Sequence, residues 1–115
     1  MTSERRIASN LLWTPQGVIR RPLAVFGPDG RLLRIEPCAE PDRQPATEFY
    51  AGLLVLDFPA DYEAVFAKLR AERASLYECL PHYVPATPGC PVVLSGLDYD
   101  TLRLTSRSCI TALFC

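Results

Sequence analysis

The hydrophobic and polar positions between Pro59 and Leu80 follow the period of an α-helix. Apolar side chains recur at helical spacing and make one broad face, which comprises Tyr62, Val65, Phe66, Leu69, Leu76, Tyr77 and Leu80. Good helix formers dominate this stretch, and Pro59 suits a first helical turn because its missing N–H would have no partner there. Pro81 ends the pattern, since the residue before a proline avoids helical dihedral angles. The spacing therefore predicts one long helix over 59–80 whose broad face packs on a sheet.

A second, thinner apolar face of the same segment consists of alanines. Its members are Ala60, Ala64, Ala67, Ala71 and Ala74. One interpretation is helix propensity at a solvent-facing surface. The other is a close helix–helix contact with a second copy of the chain, because small side chains let helix axes approach. The sequence leaves both interpretations open.

Short β-type segments and turns precede the helix. The predicted strands cover residues 6–13, 18–26, 31–36 and 48–56. Pro22 inside the second strand indicates an edge or a bulge, and Gly27-Pro-Asp-Gly30 predicts a hairpin turn before the third. The fourth strand has a continuous apolar run that indicates burial on both sides, and Gly52 marks a bulge or a close backbone approach. Residues 37–47 are expected to form an exposed loop.

After the helix the pattern returns to short strands. Residues 81–91 predict an extended, proline-rich connection, followed by strands over 92–94, 101–105 and 109–114. The chain is therefore expected to be α+β: a mainly antiparallel β-sandwich or small barrel of about seven strands with one long helix. We expect a single domain over 1–115, in which the strands of 1–58 and those of 81–115 complete one sandwich.

Composition limits the classes of partner. The chain has 115 residues, 49% of them hydrophobic, with a formal net charge of −1 and a pI near 5.8. It lacks the basic excess of a nucleic-acid-binding surface, and the pairs Arg5-Arg6 and Arg20-Arg21 are interpreted as edge or surface charges. No apolar run reaches the roughly 18 residues of a membrane span, and the first residues lack the apolar core of a secretory signal. We expect no nucleic-acid or membrane partner and a cytoplasmic location.

Cysteine usage points to the same compartment. The cysteines stand at positions 38, 79, 90, 109 and 115. Their number is odd and no Cys-x-x-Cys motif occurs, so free thiols in a reducing compartment are expected.

Motifs at the two ends of the chain occur in a recognisable order. A Thr14-Pro-Gln-Gly17 turn, an Asp-Gly turn and the strand of 31–36 lead to Glu48-Phe-Tyr-Ala-Gly-Leu-Leu-Val55, and a strand-rich tail covers 88–105. This order resembles the amidohydrolase superfamily of metal-dependent hydrolases and deaminases, over roughly residues 5–58 and 88–114. In that family the two ends combine into a small β-sandwich beside a (β/α)₈ barrel.

The middle of the chain departs from that family. The family continues with Pro-Gly-Phe and a metal-binding His-x-His pair, whereas Leu56-Asp-Phe58 stands here and no His-x-His exists. A barrel needs at least about 200 residues, and fewer than thirty lie between Pro59 and Pro88. The resemblance therefore implies only the sandwich. We expect no catalytic residue, no cofactor and no enzymatic activity.

The candidate metal ligands are weak. Cys79, His82 and Cys90 offer three donors, but a closed zinc site takes four ligands and this spacing matches no strong pattern. A buried thiol at a helix end beside a loop histidine explains Cys79 and His82 equally, and as a nucleophile–base pair they lack an orienting third group. Asp98 and Asp100 are interpreted as turn and solvated acids. Aromatic side chains that could line either a pocket or the core are Trp13, Tyr50, Tyr62, Tyr77 and Tyr83.

The expected function is protein–protein interaction, most simply self-association as a homodimer. A sandwich without its barrel must cover an apolar face, and a helix of about 20 residues, about 30 Å long, covers only part of one. Another protein partner, such as a full-length amidohydrolase, stays open, as does a relic without selected activity. The alternative from a different class is a small-molecule or metal binder, or a minor hydrolase, that uses Cys79 and His82.

Overall fold

Seven strands and two helices make up an α+β fold in which strand predominates. The computed structural model describes residues 5–29, 31–37, 47–72, 75–84 and 89–113. In chain order the elements are β1 (Arg5–Thr14), β2 (Gly17–Arg20), β3 (Pro22–Phe26), β4 (Leu32–Pro37), β5 (Thr47–Phe58), α1 (Tyr62–Glu72), α2 (Leu76–Tyr83), β6 (Cys90–Ser95) and β7 (Cys109–Ala112).

The strands form one mixed sheet in the order β4-β3-β1-β5-β6-β7, with β2 paired to β1. β1 and β5 run parallel, and the other neighbours are antiparallel. Strands from before and after the helices are therefore neighbours in the same sheet, as the sequence predicts. The sheet does not close on itself, because β4 and β7 stand at opposite ends of the path. The predicted small barrel is therefore wrong, and the single sheet does not confirm the predicted sandwich.

The predicted second strand over 18–26 is divided into β2 and β3. The division falls at Arg21, whose φ of 51° lies in the left-handed region. β2 pairs with the second half of β1, and β3 pairs with its first half. The irregularity expected from Pro22 thus lies one residue earlier. A matching irregularity occurs in β1, where the register against β5 shifts between Ser9 and Leu11.

The single long helix predicted over 59–80 is wrong, because the chain forms α1 and α2 instead. Ser75 has an extended backbone (φ −61°, ψ 143°), and its side chain accepts a hydrogen bond from the Tyr77 N–H. Serine competes for backbone hydrogen bonds in this way, which favours a cap over a helix interior. The Leu76 N–H donates to the carbonyl of Leu102 at 2.8 Å, so the start of α2 is fixed to a distant turn.

Pro81 lies inside α2 and does not end it. The helix continues to Tyr83, and the N–H of Val84 donates to the Leu80 carbonyl at 2.8 Å. The extended connection predicted over 81–91 is therefore helical at its start and β6 at its end. Its central residues lie outside the described part of the chain.

The predicted strand over 101–105 is also wrong. That segment is a turn closed by an isolated bridge between Asp98 and Arg103. The Asp98 carboxylate accepts hydrogen bonds from the backbone N–H groups of Asp100 and Thr101, and such local bonds compete with strand pairing. Leu102 has a φ of 52°, which is incompatible with a continuous strand.

Apolar side chains are buried on both faces of the sheet. Leu53 and Val55 belong to the cluster that packs on the helices, whereas Leu54 belongs to a cluster on the other face. The helices contribute Val65, Phe66, Leu69, Leu76, Cys79 and Leu80 to the first cluster. The second cluster contains Ile7, Leu12, Ala24, Phe26, Leu54, Val93 and Leu113. The predicted burial of β5 on both sides is confirmed, and so is that of the broad helix face, except that Tyr62 is only partly buried and Tyr77 is 55% exposed.

The alanine face of the helical segment is exposed where the structure describes it. Its described members are Ala60, Ala64, Ala67 and Ala71. Ala74 lies outside the described residues, as do Gly30 of the predicted turn and residues 38–46 of the predicted loop. The contact with a second copy through this face stays a prediction.

Candidate functional site

The residues that the sequence suggests for metal binding do not form a site. Cys79 carries a buried thiol on α2, His82 is exposed in the last turn of that helix, and Cys90 is buried at the start of β6. Cys90 is disulfide-bonded, so the expectation of a free thiol there is wrong and a metal ligand is lost. Within the described ranges no group of three His, Cys, Asp or Glu side chains is arranged to hold a metal ion. Disulfides persist mainly in oxidising compartments, so Cys90 does not support the expected cytoplasmic location.

A cleft of about 620 Å³ opens between β1, β2, α2 and the turn that follows β6. Its walls combine basic, acidic, amide, phenolic and aliphatic side chains. They are Asn10, Leu11, Val18, Arg20, Arg21, Tyr77, Tyr99, Asp100 and Leu102. We call this the arginine cleft. Its volume lies within the range of about 300 to 1,000 Å³ that is typical of small-molecule sites.

Two unusual backbone conformations meet at the arginine cleft. Arg21 (φ 51°) and Leu102 (φ 52°) are the residues other than glycine that have a positive φ in the described part of the chain. Both line the cleft. The Arg21 N–H donates to the Asn10 carbonyl at 3.0 Å, and Leu102 keeps its side chain buried. Left-handed dihedrals cost a non-glycine residue on the order of 1 kcal/mol, and such strain is concentrated at functional sites.

Asn10, which lines the cleft, joins β1 to β5 and to the turn that follows β6. It lies at the irregularity of β1, and its side-chain oxygen accepts a hydrogen bond from the Gly52 N–H of β5 at 2.9 Å. The Tyr99 hydroxyl donates to the same oxygen at 3.4 Å. The turn after β6 is thereby held against the centre of the sheet. Burial raises the pKa of Tyr99, so its phenol stays neutral at physiological pH.

The cleft concentrates positive charge on a chain whose net charge is −1. Arg20 and Arg21 are adjacent and exposed, and neither makes an ion pair with any described residue. Asp100 brings one carboxylate to the same walls, while Tyr77 and Tyr99 present partly exposed rings. These groups provide hydrogen-bond donors for an anion and flat surfaces for an apolar ring.

A second polar cluster ties the two ends of the described chain together. The Arg5 guanidinium forms an ion pair with Glu48 and donates hydrogen bonds to the Tyr50 hydroxyl at 3.0 Å and the Leu113 carbonyl at 2.7 Å. Hydrogen bonding to Arg5 lowers the pKa of Glu48, and the same contact raises the pKa of Arg5. The Arg5 guanidinium donates to three residues of the cluster through Nε, Nη1 and Nη2, which indicates a structural role.

Sequence reasoning missed most of the arginine cleft. The sequence predicts that Arg20 and Arg21 are edge or surface charges and that Tyr77 lies on the broad apolar face of the helix. Of the aromatic candidates Trp13, Tyr50, Tyr62, Tyr77 and Tyr83, only Tyr77 lines the cleft. Trp13 is buried in the cluster that packs on the helices, and Tyr62 and Tyr83 pack against the same cluster. One available signal was the pair of arginines directly before Pro22, where an irregularity was already expected.

Comparison with known proteins gives no relative: no protein-family model, no curated protein and no solved structure matches this chain. None of the helices in the described ranges is both long enough and apolar enough to cross a membrane. The class of protein is therefore defined by its own structure. It is an α+β domain with one open, mixed seven-stranded sheet and a basic cleft at one side of it.

Proposed function

We propose that this protein is a non-catalytic interaction domain that self-associates by pairing β4 with β4 of a second copy. The observation that carries the proposal is the character of this edge strand. β4 pairs with β3 on one side, and no other strand of the described structure pairs with it. An edge strand offers unpaired backbone groups to another chain, and natural proteins usually protect such edges.

The side chains of β4 support the proposal. Leu32, Leu33 and Ile35 are 36%, 51% and 38% exposed, which makes β4 the described strand with most exposed large apolar side chains. The opposite edge strand, β7, is four residues long and has none that is exposed to that extent. Pairing β4 with a second copy would bury apolar surface that now faces water.

The backbone of β4 presents its central hydrogen-bonding groups outward. Pro22 of β3 faces Pro37 of β4, and a hydrogen-bonded antiparallel pair needs an N–H that proline lacks. These prolines therefore form a non-hydrogen-bonded pair. The two pair types alternate along a regular ladder, so Ile35 opposite Ala24 is also non-hydrogen-bonded with β3. The N–H and C=O of Ile35 consequently point away from β3 and towards a new neighbour.

Charge complementarity selects one register for a symmetric pair. Arg34 and Glu36 flank Ile35, and their exposed side chains already form an ion pair with each other at 3.3 Å within one chain. An antiparallel pair centred on Ile35 puts each Arg34 opposite Glu36 of the other copy. A pair centred on either charged residue puts like charges opposite each other. Cross-strand pairs of opposite charge contribute about 0.2–1 kcal/mol each, and like charges destabilise.

We also propose that the domain is related to the sandwich domain of amidohydrolases without their barrel. The support is the order of motifs in the sequence, together with the shared sheet of β1, β5, β6 and β7. The positions of Cys79, His82 and Cys90 do not favour the alternative function of a metal binder or minor hydrolase.

The proposal is tested by the mass of the unmodified protein in solution. Light scattering after size-exclusion chromatography should give a mass that rises with loading concentration, from 12.8 kDa towards twice that value. A constant mass of one chain from low micromolar to near-millimolar concentration would contradict self-association.

A further inference from the structure

We propose that the arginine cleft binds a small organic anion, with its carboxylate or phosphate on Arg20 and Arg21 and its ring against the tyrosines. This site is separate from β4, none of whose residues lines the cleft. The inference therefore does not depend on self-association.

The two guanidinium groups indicate that the ligand is an anion. Arginine presents a planar fork of N–H donors that matches a carboxylate or a phosphate and stays charged at any physiological pH. Arg20 and Arg21 are consecutive, exposed and without an ion-pair partner among the described residues. Like charges held side by side repel, so a bound anion relieves an unfavourable interaction as well as adding favourable ones.

The other side chains that line the cleft indicate that the ligand carries a ring. Tyr77 and Tyr99 are 55% and 47% exposed, and phenol rings offer flat apolar surfaces for another ring. Leu11 and Val18 extend the apolar part of the lining. A bare inorganic anion would leave most of this surface in water. The chemical class that fits the two arginines and the two tyrosines is an aryl or heterocyclic carboxylate or phosphate.

The backbone strain at Arg21 supports a binding site, because it occurs at one of the two charged residues that line the cleft. Glycine or asparagine adopts a positive φ at little cost, yet Arg21 occupies this position with its side chain in the cleft. The division between β2 and β3 at this residue is what brings Arg20 and Arg21 to the same walls. Leu102, in the turn that follows β6, has a similar positive φ.

Titration calorimetry with phenyl phosphate tests the inference, with inorganic phosphate, benzoate and benzyl alcohol as comparison probes. Phenyl phosphate and benzoate should bind saturably, one per chain. Inorganic phosphate should bind more weakly because it has no ring, and neutral benzyl alcohol should not bind. No saturable heat with either aromatic anion would overturn the proposal. If inorganic phosphate binds equally well, the proposed contact of a ligand ring with the tyrosines is wrong. If benzyl alcohol binds equally well, the proposed contact of an anion with the arginines is wrong.

The variant Arg21→Gly separates binding from folding. Glycine suits the positive φ, so the melting temperature should stay the same or rise, while affinity for phenyl phosphate should fall about tenfold or more. Arg20→Gln should weaken binding similarly. Arg107→Gln, which removes an exposed arginine outside the cleft, should bind as the unmodified protein does. Unchanged affinity in both Arg21→Gly and Arg20→Gln, or an equal loss in Arg107→Gln, would overturn the assignment.

Discussion

Replacing Ile35 by proline is expected to abolish self-association while the domain stays folded. The N–H of Ile35 points away from β3, so proline removes no hydrogen bond from the sheet of one chain. It does remove the central donor of the proposed pair, and its ring obstructs an approaching strand. Light scattering should give one chain's mass at every concentration, and the thermal unfolding transition should stay cooperative.

The adjacent position provides the matched control. Arg34 pairs with Val25, and the alternation that points Ile35 outward points the N–H of Arg34 towards β3. Arg34→Pro should therefore lower the melting temperature, because it breaks a bond within the sheet. If Ile35→Pro destabilises the fold as much as Arg34→Pro does, the assigned direction of the β4 backbone is wrong. If Ile35→Pro still forms dimers, the interface lies elsewhere.

Replacing Gly52 by alanine is expected to lower the free energy of unfolding by about 3 kcal/mol or more. Gly52 has a φ of 146°, a value that residues with a side chain rarely adopt. A Cβ there would stand 2.2 Å from the carbonyl oxygen of Leu94 in the neighbouring strand β6. Gly52 and Leu94 both lie in the middle of the sheet, so neither backbone can move away without disturbing the pairing of its strand. Urea unfolding followed by circular dichroism measures the loss.

Gly17 is a control with the same backbone angle. Its φ is also 146°, but an added Cβ would meet nothing within 4 Å. Gly17→Ala therefore carries the conformational cost alone, on the order of 1 kcal/mol. The difference between the two variants isolates the steric contact with Leu94. Similar losses in both would contradict the close approach of β5 and β6.

Sequence periodicity located most of the strands, because β-type alternation and turn residues are local signals. The turn that begins at Gly27, the position of Pro22 and the close approach at Gly52 were all marked by residues with restricted or unusual backbone preferences. The parallel pairing of β1 with β5 had no such signal. It depends on which distant segments meet, and local patterns do not specify that.

The predicted helix over 59–80 and the predicted strand over 101–105 are both wrong because hydrogen bonds outweighed the apolar pattern. Some of these bonds are local, and one joins distant parts of the chain. The helical pattern continues through Ser75, yet its hydroxyl caps a second helix, and Leu76 is bound to the carbonyl of Leu102. The segment at Leu102 alternates like a strand, yet Asp98 closes it into a turn. The two errors meet at the hydrogen bond between Leu76 and Leu102, which joins the start of α2 to the turn after β6.

The sequence did not predict the arginine cleft, because the cleft also depends on contacts between distant parts of the chain. Its walls come from four elements, and its geometry depends on the irregularity at Asn10 and the positive φ of Arg21. Basic residues next to a proline are common at surfaces, and only the folded arrangement places Tyr77 and Tyr99 beside them. The exposure of Tyr77 follows from the break at Ser75, because a continuous helix was expected to turn that ring inward.

Amide hydrogen exchange at Ile35, followed by NMR in dilute and concentrated samples, tests the pairing of β4 most directly. In the single chain this N–H faces outward and should exchange rapidly, whereas that of Arg34 is bonded to β3 and should be protected throughout. Pairing predicts that the Ile35 amide becomes protected as concentration rises while Arg34 changes little. Exchange at Ile35 that stays equally fast at every concentration would contradict it.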